Sequence, residues 1–254
     1  MKRFFLISMF LVSTVISGSA QGITTKSFSE SWTGFLKKYS ANGKVDYRGI
    51  KNDDEFSILI NKLSLISLSS LSKEEKLAFY INVYNINVIK LICDYYPVDK
   101  ITDIKISGST TPFEYKFIKL GKNLYSLDEI ENQLIRGLYY EPRIHFALVA
   151  GAVSSPELAD EAFTGDNLDK LLTKQTTKFL KNEKLNQFDF VNLKINLNEA
   201  FKWYESDFGG QENFRIYISK FFEGSEAATL RAQTFSISFI PYDWNLNDKR
   251  QRLY

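Results

Sequence analysis

Along the chain, apolar positions fall first at helical spacing. Phe28 to Tyr39 is aromatic-rich and amphipathic, and Phe56, Leu59, Ile60 and Leu63 recur every three or four residues, which predicts two helices. Ser72-Lys-Glu-Glu75 has the form of a capping box, a Ser hydroxyl and a Glu carboxylate satisfying the orphan N–H groups of a helix start. Pro97 closes the element so opened. The helix predicted over 73–95 is apolar on nearly every face, with Leu77, Phe79, Ile81, Val83, Ile86, Val88 and Ile92 spread around it, and this marks a central buried helix. Asn82 and Asn85, three apart, then share a face inside the protein. A buried amide left unpaired costs roughly 1–3 kcal/mol, so the two either tie the helix to a neighbouring loop or belong to a ligand site.

The second half mixes periods. Phe113-Glu-Tyr-Lys-Phe alternates as a half-buried strand before a Gly121-Lys-Asn turn. Ser126-Leu-Asp-Glu129 is another capping box, opening a helix with Ile130, Leu134, Ile135 and Leu138 inward. After Pro142, Arg143 to Val149 alternates as a strand, with Ile144, Phe146 and Leu148 one way and Arg143, His145 and Ala147 the other. Leu168, Leu171, Leu172, Phe179 and Leu180 fit a helix; Val191, Leu193, Ile195 and Leu197 fit a strand. Two aromatic helices follow around Trp203 and Phe221, and Thr234 to Ile240 is the final strand. Strands separated by helices of varied length predict an α+β class, a mostly helical single domain over 26–254 with the central helix packed on a partly antiparallel sheet.

Composition changes this picture in three places. Met1-Lys-Arg3, an apolar stretch over 4–18 and the small residues Gly18-Ser-Ala20 have the form of a signal peptide, so residues 1–20 are expected to be removed on export to the periplasm or the cell exterior. Without Lys2 and Arg3 the 32 basic side chains fall to 30, equal to the 30 acidic ones. That balance argues against nucleic acid as a partner, because phosphates call for a basic stripe. No later run approaches the roughly 18 apolar residues of a membrane span. The lone cysteine, Cys93, excludes an internal disulfide and sits in an apolar helical context, as a core thiol does.

Candidate chemistry concentrates in Glu141-Pro-Arg-Ile-His-Phe-Ala-Leu-Val-Ala-Gly-Ala-Val-Ser-Ser-Pro-Glu-Leu158, which holds the only histidine. Read locally, a strand carrying Arg143 and His145 leads through a small-residue turn to a helix capped by Ser155 with Pro156 at its first position. The N–H groups of such a turn, with Ser154 and Arg143 beside them, suit an anion. A single histidine forbids multi-histidine metal centres, and Asp160, Glu161, Asp166 and Asp169 lack the register of a calcium loop, so no metal site is expected. No phosphate loop or dinucleotide fingerprint is present, and no cofactor is expected.

Five ordered segments also carry a resemblance: Leu77-Ala-Phe-Tyr-Ile-Asn-Val-Tyr-Asn85, Tyr125-Ser-Leu-Asp-Glu-Ile-Glu131, Pro142-Arg-Ile-His-Phe-Ala-Leu148, Ser155-Pro-Glu-Leu158 and Tyr242-Asp-Trp-Asn-Leu-Asn247. Through them the chain resembles the family called domain of unknown function 547 over nearly the whole length after residue 20. The resemblance implies cysteines in the turn after the histidine segment; Ala150 and Ser155 stand at those positions here. Cysteine chemistry is therefore not expected at this turn.

Two functions compete. The first is a non-catalytic protein binding an exported protein, a peptide or a glycan around Arg143, His145 and the 150–155 turn, with Ser154, Asn82, Asn85, Asp128 and Glu131 as further ligand contacts. The second is a hydrolase or acyl-transfer enzyme with His145 as base, Ser155 as nucleophile and Asp243, with Asp128 behind it, as the acid orienting His145. Against both stands a purely structural reading: a core histidine, Ser155 as a helix cap, and Arg143 paired with a carboxylate such as Glu131.

Overall fold

A computed structural model describes residues 24–250; the expected signal peptide lies outside the described residues. The chain begins with helix α1 (Thr25–Tyr39), whose Thr24 hydroxyl caps Ser27 N–H and whose apolar stripe Phe28, Trp32, Phe35, Leu36 and Tyr39 is buried. A two-residue hairpin, β1 (Ser40–Ala41) and β2 (Lys44–Val45), turns over Asn42 and Gly43, both at positive φ as the twist of a tight hairpin requires. Helices α2 (Tyr47–Lys51) and α3 (Asp54–Leu65) follow. Helix α4 (Lys73–Tyr95) has the full capping box and buries residues on every side from Leu77 to Cys93. It is the axis of the first core, with α1, α2 and α3 around it.

Beyond α4, hairpin β3 (Ile118–Leu120) and β4 (Asn123–Tyr125) leads to α5 (Leu127–Glu129), again opened by a complete capping box. Here the structure departs from the expected helical register. Residues Ile130–Arg136 form a π-helical turn, so the buried positions are Ile130, Glu131, Ile135 and Tyr139. Hydrogen bonds to the fifth residue widen the turn, and this rotates Leu138, expected inside, to 55% exposure.

The remainder builds a second core. Helix α6 (Leu168–Leu180), strands β5 (Gln187–Asp189) and β6 (Lys194–Asn198), helices α7 (Ala200–Trp203), α8 (Phe214–Ile218) and α9 (Gly224–Ala232), and strand β7 (Ser236–Ile240) follow in order. β6 pairs antiparallel with β5 and parallel with β7, making a three-stranded sheet. Its apolar faces pack with Phe201, Phe208, Phe214, Ile218 and Leu230. The fold is mostly helical α+β, with the sheet serving the second core rather than lying under α4.

Two expected strands take other forms. Residues 112–114 are a 3-10 turn, and the strand begins only at Ile118. Pro142–Phe146 is a 3-10 helix, with Pro142 at its start and the Glu141 carboxylate accepting the Arg143 N–H. Alternation misleads in that segment because it lies where the two cores meet: Ile144 enters the first, Phe146 the second, and His145 is buried between them. Near-threefold winding sends three successive side chains in three directions.

Candidate functional site

His145 is held from behind. Its Nε2 lies 2.7 Å from Asp207 Oδ2, and Asp207 also receives both Nε (2.7 Å) and Nη2 (2.9 Å) of Arg136. A carboxylate can only accept here, so Nε2 carries the hydrogen, and Nδ1 is the ring nitrogen left for another partner. The His145 bond first, then Arg136, holds the Asp207 carboxyl well below the usual range. Tyr204 stacks on the imidazole at 3.8 Å and 19°, with the Arg136 guanidinium 5.1 Å from the Tyr204 ring centre.

His145 is one of the residues lining a cavity of about 220 Å³, with Tyr84, Asp128, Glu131, Ser155, Trp203, Tyr204, Tyr242 and Trp244 among the others. Asp207 does not line it. The His145 side chain is 1% exposed, and its Nδ1 is one of two buried side-chain polar atoms without a hydrogen-bond partner among the described residues, the Tyr217 hydroxyl being the other. An orphaned polar atom of this kind calls for an explanation, because the missing bond costs about 1–3 kcal/mol.

The carboxylates come from the junction of α5 with the π-helical turn. Glu131 is buried at 7% exposure, and it hydrogen-bonds the Tyr204 phenol, whose ionisation burial and that carboxylate both oppose. Asp128 is raised above the usual carboxylate range, chiefly by burial and then by the charge of Glu131. Trp203, Tyr242 and Trp244 form an aromatic wall, with centroids 4.8 Å apart for Trp203–Tyr242 and 4.5 Å for Tyr242–Trp244.

Of the residues expected to act, the structure gathers His145, Ser155, Asp128 and Glu131 at this cavity and places the others elsewhere. Arg143 turns away, binding Glu141 (2.6 Å), Asp169 (2.9 Å) and Thr173 (2.7 Å) rather than Glu131. It lines a different cavity, with Tyr139 and Leu168. Asp243 is not the partner of His145; its carboxylate accepts Asn245 N–H, closing its own turn. Ser154 is consumed by backbone pairing, its hydroxyl accepting Asp243 N–H and its carbonyl the Asn198 amide. Ser155 caps no helix, since residues 156–159 are irregular. Its hydroxyl accepts Ala150 N–H at 2.8 Å and bonds the Tyr242 phenol, and it makes no hydrogen bond to His145, so the expected triad is not assembled.

Asn82 and Asn85 act as clamps. Asn82 grips Phe163 through both backbone groups (2.7 and 3.0 Å), and Asn85 grips Ala147 O (2.9 Å) and Val149 N–H (3.0 Å). A larger groove of about 880 Å³ between the starts of α1 and α4 includes Asn82, but that amide is already bonded there. Cys93 is core, its thiol pushed up to about 12 by burial. Among the described residues no cluster of three or more His, Cys, Asp or Glu side chains is placed to hold a metal, and no helix is long and apolar enough to cross a membrane.

Sequence reasoning missed Asp207 and Arg136. Asp207 stands 62 positions from His145 with no motif around it.

No curated protein and no solved structure matches the chain. The model of a family described as protein of unknown function, DUF547, matches residues 68–180. This span contains four of the five resembling segments and leaves Tyr242–Asn247 outside it, so the match is shorter than the resemblance suggested. The cavity straddles its edge: Asp128, Glu131, His145 and Ser155 lie inside, and Trp203, Tyr204, Tyr242 and Trp244 lie beyond. Through residues 68–180 the chain is similar to the DUF547 family.

Proposed function

We propose that the chain is a non-catalytic binding protein that receives a small polar ligand, or the protruding group of a peptide or glycan, in the cavity before His145. The observation that carries this reading is the buried His145 Nδ1, a polar atom with no partner on a residue that lines a cavity with two carboxylates and an aromatic wall. A ligand group bonded to it removes the cost of that orphaned nitrogen. We also take residues 1–20 as an export signal, so that the ligand is met in the periplasm or outside the cell.

The test is a thermal-shift screen of the purified protein against amines, amino acids, short peptides and sugars. A ligand at 100 times its dissociation constant adds about 2.7 kcal/mol to stability. The reading expects a shift that disappears in His145→Ala and persists in Arg143→Ala. Hits that survive His145→Ala would place binding elsewhere and overturn it.

A hydrolase remains the second reading, favoured by one feature: Asp207 orients a histidine that lines the cavity and whose Nδ1 has no partner, the arrangement a general base requires. Ser155 is not its nucleophile in this arrangement, because its hydroxyl is spent on Ala150 and Tyr242. Turnover of an ester or amide panel, abolished by His145→Ala and retained by Ser155→Ala, would support a base acting on water and displace the binding reading.

A further inference from the structure

The cavity's chemistry is lopsided. Asp128 and Glu131 supply acceptors, His145 adds a buried Nδ1 with no partner, and no Lys or Arg is among the lining residues. The Arg136 guanidinium binds Asp207 behind the imidazole. Of the hydroxyls, Tyr204 bonds Glu131 and Ser155 donates to the Tyr242 oxygen. A partly buried pair of acids is costly unless something compensates it; Glu131 has the Tyr204 phenol and feels the Arg136 charge, whereas no cation lines the cavity beside Asp128.

An occupant that completes this site brings donors and positive charge. An ammonium group has three donors and no acceptor. It also gains against the faces of Trp203, Tyr242 and Trp244, since aromatic rings attract cations. A carboxylate or phosphate would meet two like charges. A neutral sugar would satisfy the aromatic wall and leave Asp128 uncompensated.

We infer that the cavity before His145 takes an organic cation bearing N–H donors, an alkylammonium group, seated between the Asp128 and Glu131 carboxylates, His145 Nδ1 and the Trp203–Tyr242–Trp244 wall. This rests on the binding reading above and specifies its ligand. The group could arrive on a free alkylamine or on an amino sugar, and about 220 Å³ of space admits either at this one end.

Titration calorimetry with the purified protein at neutral pH and low salt tests the inference with matched pairs: butylammonium against 1-butanol, glucosamine against glucose, and tetramethylammonium as a cation without donors. The expected result is binding at least tenfold tighter for the charged member of a pair, with the better pair identifying the carrier. Tetramethylammonium should bind several-fold more weakly than butylammonium. Tightness should fall with added salt and fall several-fold in Asp128→Asn and in Glu131→Gln. The wild-type pairs stand even where a variant does not fold. Equal binding of charged and neutral twins, lost in His145→Ala, would overturn the cation inference while leaving the binding reading intact. Binding by neither charged member would overturn the inference outright.

Discussion

Asn85 gives the sharpest test of how the site is held. It is 3% exposed on the central helix, and its amide closes two bonds to the turn that follows His145, Nδ2 to Ala147 O at 2.9 Å and Oδ1 from Val149 N–H at 3.0 Å. Asn85→Ala leaves both backbone groups buried without partners. At about 1–3 kcal/mol each, the expected loss is roughly 2–6 kcal/mol. For a chain of this size that is a fall in Tm of roughly 5–20 °C, at about 2–4 °C per kcal/mol. Asn85→Leu fills the space and orphans the same two groups, so it should cost nearly as much and separates lost bonds from lost packing. Asn85→Asp keeps the acceptor for Val149 and sets a carboxylate against the Ala147 carbonyl. Burial would raise its folded pKa above the unfolded value of about 4, so this variant should regain stability as pH falls towards that value. Urea unfolding followed by tryptophan fluorescence measures all three. Losses under about 1 kcal/mol in both Asn85→Ala and Asn85→Leu would refute the clamp, because the two backbone groups would then be satisfied without the amide.

Other expectations follow from the same geometry. The Asp207 carboxyl is held below its ordinary range by His145 and then Arg136, so its stabilisation is complete above about pH 4 and lost as pH falls further; Asp207→Asn should lower Tm at neutral pH and flatten the acid limb of Tm against pH. Cys93 should resist a thiol reagent at pH 8 in the native protein and react at the rate of unfolding, since burial keeps its thiol protonated up to about 12. Gly151→Ala should destabilise by about 2–4 kcal/mol in chemical denaturation, since it adds the strain of a positive φ to overpacking; φ is +70° there, and the new Cβ would stand 2.4 Å from Ile92 Cδ1. Leu138→Gln should change stability by less than about 0.5 kcal/mol, and Ile135→Ala should cost about 2–5 kcal/mol; the reverse ranking would contradict the π-helical register.

What the sequence made legible was local or strongly periodic. The capping boxes at Ser72 and Ser126 are complete within four residues, and both formed as read. The apolar surround of α4 announced its burial and the need for Asn82 and Asn85 to find partners. Alternation over 143–149 misled because Ile144, His145 and Phe146 are all buried, and a period carries no information where every face is covered. Leu138 misled because a fixed 3.6-residue period was carried through a turn that widens. The candidate site was half visible. Its near wall lies in the histidine and Asp128–Glu131 segments, whereas the acid that orients His145 arrives from 62 residues away and could be recognised only after folding. The Tyr-Asp-Trp segment pointed to the right place through its rings rather than its carboxylate.

The segment that supplies two of those rings also imposes an order on biosynthesis. Residues 242–249 are laid over parts of the chain made much earlier: Asn247 O accepts Val45 N–H, Asp99 O accepts Leu246 N–H, Gly151 O accepts Asn247 N–H, and Asn245 O accepts Val153 N–H. Tyr47 donates to the Asn247 side chain across 200 positions. While the ribosome is still adding residues before 242, the groups at positions 45, 99, 151 and 153 have none of these partners and the cavity lacks its Tyr242 and Trp244 side. Long-range closure of this sort comes late, because its loop entropy is offset only when the final strap lands. The nascent protein therefore carries an unfinished seam through most of its synthesis, and the pocket before His145 first exists after that strap has been made.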